Sequence, residues 1–223
     1  MTMKPLAWLF DLFLERRCPL CDRPTSAVVC PHCQRRLESC QLAHPAALWQ
    51  GELPVFSWGQ YGGPLKRAIA ALKYDNQPIL ASVLGQWLGQ VWVESAPIQL
   101  RRCQVVPIPM HPEKQAKRGY NQADLLAEPF CRATGFTLKT RGLRRIKATQ
   151  AQFSLSGAER EANLADAFQV VPQELQRRTP SPILLLDDIY TTGATARSAA
   201  TALQQAGLVV NGIVTLACAA QNP

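Results

Sequence analysis

The chain has 223 residues, 47% of them hydrophobic, and a formal net charge of +8 at neutral pH. That length can bury a full core and still carry a small appendage, so one globular domain plus a module is expected. No apolar run approaches the roughly 18 residues of a membrane helix, which argues against a spanning protein.

The amino-terminal stretch from Leu6 to Leu14 is apolar, but Asp11 interrupts it and no small-residue cleavage site follows. It reads as an amphipathic helix docked on the body rather than a signal peptide, and the expected location is cytoplasmic. Cys18-Pro-Leu-Cys21 and Cys30-Pro-His-Cys33 then form two CxxC knuckles with eight residues between them. Such knuckles place four thiolates tetrahedrally around one ion, and a structural zinc is expected on Cys18, Cys21, Cys30 and Cys33. A disulfide framework is disfavoured because the cytosol keeps thiols reduced. Cys40 and His44 are spare ligands, either of which could replace a knuckle cysteine. Residues 1–47 are accordingly read as an N-terminal helix with a zinc-ribbon-like module, and residues 48–223 as the main domain. Cys103, Cys131 and Cys218 sit beside apolar residues and read as buried thiols.

Val55 to Tyr61 reads as a strand and Gly62-Gly63-Pro64 as a turn. Leu65, Ile69 and Leu72 recur at helical spacing, and a second helix is expected from Ile79 to Glu94. Cys103 to Ile108 reads as a buried strand, which the Pro109-Met110-His111-Pro112 run must end because proline cannot donate to a ladder. A cation-rich loop follows, from Glu113 through Lys114, Lys117 and Arg118 to Gln122, and then an amphipathic helix from Ala123 to Thr134. The basic excess is concentrated here. Residues 101–147 carry 11 basic and 3 acidic side chains, against 9 and 7 in residues 1–100 and 4 and 6 in residues 148–223. A local positive field of this kind suits a diphosphate or a nucleic acid, a solvated basic face being the plain alternative. The segment from Leu143 to Phe168 has weak periodicity and reads as a loop with one helix near Ala158 to Ala165, a candidate cover over a site.

Ile183-Leu-Leu-Leu then runs into Asp187 and Asp188, and after Ile189 and Tyr190 into Thr191-Thr192-Gly193-Ala194-Thr195. A buried parallel strand, a polar loop and a helix are expected, with the acids beyond the strand end where open α/β sheets bind ligands. Backbone N–H groups and hydroxyls around a helix N-terminus suit a phosphate, and Gly193 permits a close approach or a positive φ. The acids precede this cradle and would accept from vicinal hydroxyls, so a ribose 5-phosphate fits. No Walker lysine and no GxGxxG pattern is present. The last strand is expected from Val209 to Ala219.

The Asp-Asp-x-x-Thr-Thr-Gly-x-Thr string resembles the phosphoribosyl pyrophosphate (PRPP) motif of type I phosphoribosyltransferases. That resemblance implies an α/β fold of a mostly parallel sheet flanked by helices, beside the small zinc-binding module. It implies that Asp187 and Asp188 act on the ribose hydroxyls as catalytic and PRPP-binding residues. Thr191, Thr192, Gly193, Ala194 and Thr195 would hold the 5-phosphate, and Mg²⁺ would bridge the ligand oxygens. Pro109, Met110, Lys114, Arg118 and Gly119 would form the pyrophosphate side.

The wider order of CxxC knuckles, Arg118-Gly119-Tyr120-Asn121-Gln122, then Arg145, Gln152, Arg160, Asn163 and Phe168 before the Asp-Asp string, is similar to the ComF family of competence proteins. Many members carry a further CxxC knuckle that this chain lacks. The resemblance implies a PRPP-binding protein of DNA uptake in natural transformation that handles single-stranded DNA on the cytoplasmic side, with a helicase-like partner. Lys114, Arg118 and Tyr120 are the candidate DNA contacts, with Tyr74 a further stacking candidate. Two other readings stand beside it: an active phosphoribosyltransferase acting on a base or amine, and a non-catalytic adaptor with a relic PRPP site.

Overall fold

The computed structural model describes residues 16–146, 167–175 and 181–219. In chain order the described elements are α1 (Pro31–Glu38), β1 (Val55–Gln60), α2 (Gly63–Tyr74), α3 (Leu80–Ser95), β2 (Gln104–Pro107), α4 (Pro112–Arg118) and α5 (Gln122–Thr134). They continue with β3 (Thr137–Leu138), β4 (Leu143–Arg145), β5 (Phe168–Val170), β6 (Ile183–Tyr190), α6 (Ala194–Gln205) and β7 (Val210–Cys218). The expected helices at Leu6 to Leu14 and Ala158 to Ala165 lie outside the described residues.

Five strands make one sheet in the order β1-β7-β6-β2-β3, and each neighbouring pair is parallel. The run Ile183 to Leu186 is fully buried because both faces of β6 are covered. Alternation along that strand divides the core. Leu184 and Leu186 pack with α2, α3 and α5, whereas Ile183 and Leu185 pack with α6 and with the β4–β5 ribbon. α3 and α5 approach closely because Gly85 and Gly89 face Pro129 and Phe130, where a side chain would collide with α5 backbone. Around Trp92 the rings of Trp49, Phe56, Phe130 and Phe136 meet it edge-on at 4.9–6.3 Å, so these five aromatics serve the core.

Three local features differ from the sequence reading. The cation-rich stretch after Pro112 is a short helix, α4. Pro112 occupies its first turn, Glu113 and Lys117/Arg118 complement its dipole, and Gly119 at φ 86° closes it. Second, β6 continues through both acids to Tyr190 instead of ending before them, held by β7 in the register Asp187↔Thr215 to Tyr190↔Cys218. Third, Leu143–Arg145 and Phe168–Val170 pair antiparallel, a ribbon whose three-residue strands are too short for periodicity to reveal.

The cysteine module does not stand apart. Cys18, Leu20, Val29, Cys30, Cys33 and Leu37 join the same core as α2 and α3. The chain after it runs along the edge of β1, with bridges Gln41↔Gly59 and Leu48↔Val55 that cover what would be an open strand edge.

Candidate functional site

β2 stops at Pro107, whose partner is Leu186, and the Ile108 N–H donates to the Leu186 carbonyl at 2.8 Å. Beyond that point β6 runs on beside β7 alone. The chain leaving β2 returns as α5 on one face of the sheet, and the chain leaving β6 returns as α6 on the other. Such a divergence opens a crevice at the strand ends. A cleft of about 320 Å³ occupies it, lined among others by Pro109, Met110, Lys114, Arg118, Asp187, Asp188, Thr191 and Thr195. Two sequence segments read separately for phosphate chemistry therefore face each other across one space.

Period-two geometry sends the adjacent acids to opposite faces. Asp188 points toward α2 and α5. It is buried, ion-paired with the Lys73 ammonium at the end of α2, and accepts from Gln122 Nε2 at 3.3 Å. Gln122 Oε1 in turn accepts from Arg118 Nη1, so the basic helix is tied through Gln122 to Asp188. Asp187 is on the side of β4, where its charge acts on the Arg145 guanidinium. Desolvation, then the neighbouring Asp188 charge, push the Asp187 carboxyl well above the ordinary range, and Lys73 opposes them. A carboxyl so placed can hold or release a proton at a higher pH than a solvated aspartate, which suits hydrogen bonding to a sugar hydroxyl.

The loop after β6 turns through Gly193 at φ 75°, the N-cap of α6. A Cβ there would approach the Tyr190 ring carbon Cζ to 2.7 Å and Arg197 Nη1 to 2.8 Å, so glycine is required on both counts. Thr192 Oγ1 accepts from the Ala194 N–H at 3.4 Å, and the Thr192 carbonyl accepts from Arg197 Nη1 at 2.9 Å. Thr191 and Thr195 reach the cleft, whereas Thr192, Gly193 and Ala194 shape the loop behind it.

Other expected residues fall elsewhere. Gly119 closes α4 away from the cleft lining. Tyr120 is half-buried, and its hydroxyl donates to the Leu72 carbonyl, anchoring the α4–α5 turn on α2. Tyr74 is 75% exposed, lines the cleft mouth and stacks near the Arg118 guanidinium at 5.4 Å. Gln122 and Arg145, quoted in the sequence pattern without a role, line the cleft. Lys73 was missed: a lysine at the end of an amphipathic helix carries no signal until the fold sets it against a buried carboxylate.

The Sγ atoms of Cys18, Cys21, Cys30 and Cys33 all lie within 4.8 Å of one another. Zinc–sulfur bonds of about 2.3 Å require tetrahedral sulfurs about 3.8 Å apart, so the four thiols can hold a metal ion such as zinc. Cys40 is not in the group; its thiol donates to the Arg36 carbonyl at 3.5 Å, and exposed His44 is likewise outside. Cys103 and Cys131 are buried, which pushes both thiols up to about 12, and Cys218 is buried with them. All three are packing residues. No helix among the described residues is long and apolar enough to cross a membrane.

No family model matches the chain. It is 28% identical over 226 residues to the DNA utilization protein YhgH of Salmonella typhimurium, covering 93% of this chain and 94% of that one. Competence protein F of Haemophilus influenzae matches at 29% over 190 residues, 80% of each chain. Competence protein ComFC of Streptococcus pneumoniae matches at 27% over 219 residues, 92% of this chain and 91% of that one. Among solved structures, Leishmania donovani adenine phosphoribosyltransferase aligns at TM-score 0.38 and 12% identity, over 82% of this chain and 66% of that one. Glutamine PRPP amidotransferase from B. subtilis aligns at 0.36 and 18%, over 61% and 26%. Neither structural likeness is close enough to argue from. The chain is a homologue of YhgH, competence protein F and ComFC, related to them along most of its length.

Proposed function

We propose that the cleft binds PRPP with Mg²⁺ and that the protein serves DNA uptake as a cytoplasmic, ComF-like handler of single-stranded DNA, working beside a helicase-like partner. One observation carries the PRPP reading: Asp187, Asp188, Thr191 and Thr195 line the same cleft as Lys114 and Arg118, which arrive from the other side of the crevice. Thr191 and Thr195 at the start of α6 suit the 5-phosphate, the two acids suit the ribose hydroxyls, and the cations of α4 suit the diphosphate. Mg²⁺, when bound with the ligand, would neutralise diphosphate charge while keeping several waters. The residues fit it, since Asp187 is a desolvated carboxyl beside a second carboxylate and is stabilised as an anion by added positive charge. Zinc on the four thiols would be structural, because no described residue leaves an open position among four cysteines.

The DNA half of the reading rests on the names of the relatives and on the exposed cations Lys114 and Lys117 of α4. Titration calorimetry with Mg²⁺ and PRPP tests the site. Heat from the wild type that vanishes in Asp187→Ala is the expected result; equal heats from both would overturn the assignment.

A further inference from the structure

A second cavity, of about 220 Å³, opens between the cysteine module and the N-terminal end of α2. Its lining includes Arg23 from the loop after the first knuckle, Arg36 from α1 and Arg67 from α2. No carboxylate of a described residue lines it, all three guanidinium groups are on exposed residues, and none forms an ion pair with a described residue. Gly63 also lines it, at the start of a helix that no side chain caps. Three cations converging on one concavity from three segments favour an anion, and the helix end adds to that field.

A zinc ion on four thiolates would leave two negative charges nearby, since Cys21 and Cys33 also line the cavity. Three arginines exceed that charge, and all three line the cavity. The volume equals that of about seven waters, enough for a phosphate and its sugar.

α2 connects this cavity to the cleft. Arg67 and Tyr74, seven residues apart, share one face of the helix about 10 Å apart along its axis. Tyr74, exposed and beside Arg118, then stands at the mouth of the cleft. Cations interleaved with an exposed ring are the arrangement used for single strands: phosphates take the charges and a base takes the π face. We propose that Arg23, Arg36 and Arg67 seat a backbone phosphate of single-stranded nucleic acid, and that the strand runs along α2 so that a base stacks on Tyr74. The inference rests on the nucleic-acid half of the proposed function and is independent of PRPP binding.

The test uses the full zinc-loaded chain and a labelled oligothymidylate, with anisotropy read across a salt series. Arg23→Gln/Arg36→Gln/Arg67→Gln should weaken binding about tenfold and flatten the salt dependence by about 0.7 units of slope, the contribution of one single-strand phosphate. Tyr74→Ala should weaken binding at every salt concentration with the slope unchanged. Replacing the three arginines by lysine should retain the slope, and the PRPP calorimetric affinity of both arginine variants should match the wild type.

Unchanged oligonucleotide affinity in the glutamine variant would overturn the proposal, as would a variant that loses zinc while binding the strand normally. Competition by inorganic phosphate at the arginines without any effect on the strand would mark a small-anion pocket and also overturn it. A wild type that binds PRPP but no oligonucleotide would remove this inference and the DNA half of the function while leaving the PRPP site standing.

Discussion

Lys73→Met separates the ion pair at the cleft from its surroundings with little change in shape. The Lys73 side chain is 17% exposed and that of Asp188 is 5% exposed, so the pair is largely desolvated. Methionine would leave the Asp188 carboxylate with Gln122 Nε2 at 3.3 Å and no counter-charge, and would also remove the positive charge that opposes the raised Asp187. Removing one partner of a buried pair costs about 3–5 kcal/mol; the partial exposure of Lys73 argues for the lower end, about 3 kcal/mol. In a chain of this size that corresponds to a fall in Tm of roughly 6–12 °C. Urea melts followed by circular dichroism in zinc-containing buffer measure it directly. The double variant Lys73→Met/Asp188→Asn should recover at least about 2 kcal/mol, because the stranded charge is gone. A single-variant loss below about 1 kcal/mol, or simple additivity in the double, would refute the claim that Asp188 depends on Lys73.

Asp124, in the first turn of α5, is held up to about 6 by desolvation, against an ordinary 3.8, with a hydrogen bond from Asn121 opposing. The folded chain keeps this proton over an interval in which the unfolded chain has lost it, so stability declines as pH rises from about 4 to about 6. Two pKa units amount to about 3 kcal/mol, less about 0.5 kcal/mol for the lost helix-end charge. Asp124→Asn is expected to raise stability by about 2.5 kcal/mol at pH 8 and by little at pH 4, and equal effects at the two pH values would contradict the desolvated carboxyl. Because Cys18, Cys30, Cys33 and Leu37 share a core with α2 and α3, chelation of a bound zinc should lower the melting of the α2–α3 layer as well as the module. Hydrogen exchange that quickens only within residues 18–40 would show a module that unfolds by itself.

Where chemistry depends on a short run of residues, the sequence was sufficient. The CxxC spacing identified the four thiols that the fold gathers, and Gly193 was expected to permit a close approach or a positive φ; it has both, with φ at 75°. The buried strands and amphipathic helices were also legible, since alternation and helical spacing are local consequences of which face meets the core. α4 was not read as a helix, although Pro112 and Gly119 mark its two ends, because its seven residues, five of them polar, give no apolar stripe.

Long-range placement was decided only by tertiary structure. The sequence gives Asp187 and Asp188 as neighbours; the pleat of β6 sends them to opposite faces, one toward Arg145 and one against Lys73. Nothing local could announce Lys73 or Gln122, which are 115 and 66 residues from Asp188, because their partner arrives only when α2, α5 and β6 close around one space. Covalent order determines which groups the chain carries. The charge each one meets, and the water it loses, depend on the layers that fold around it.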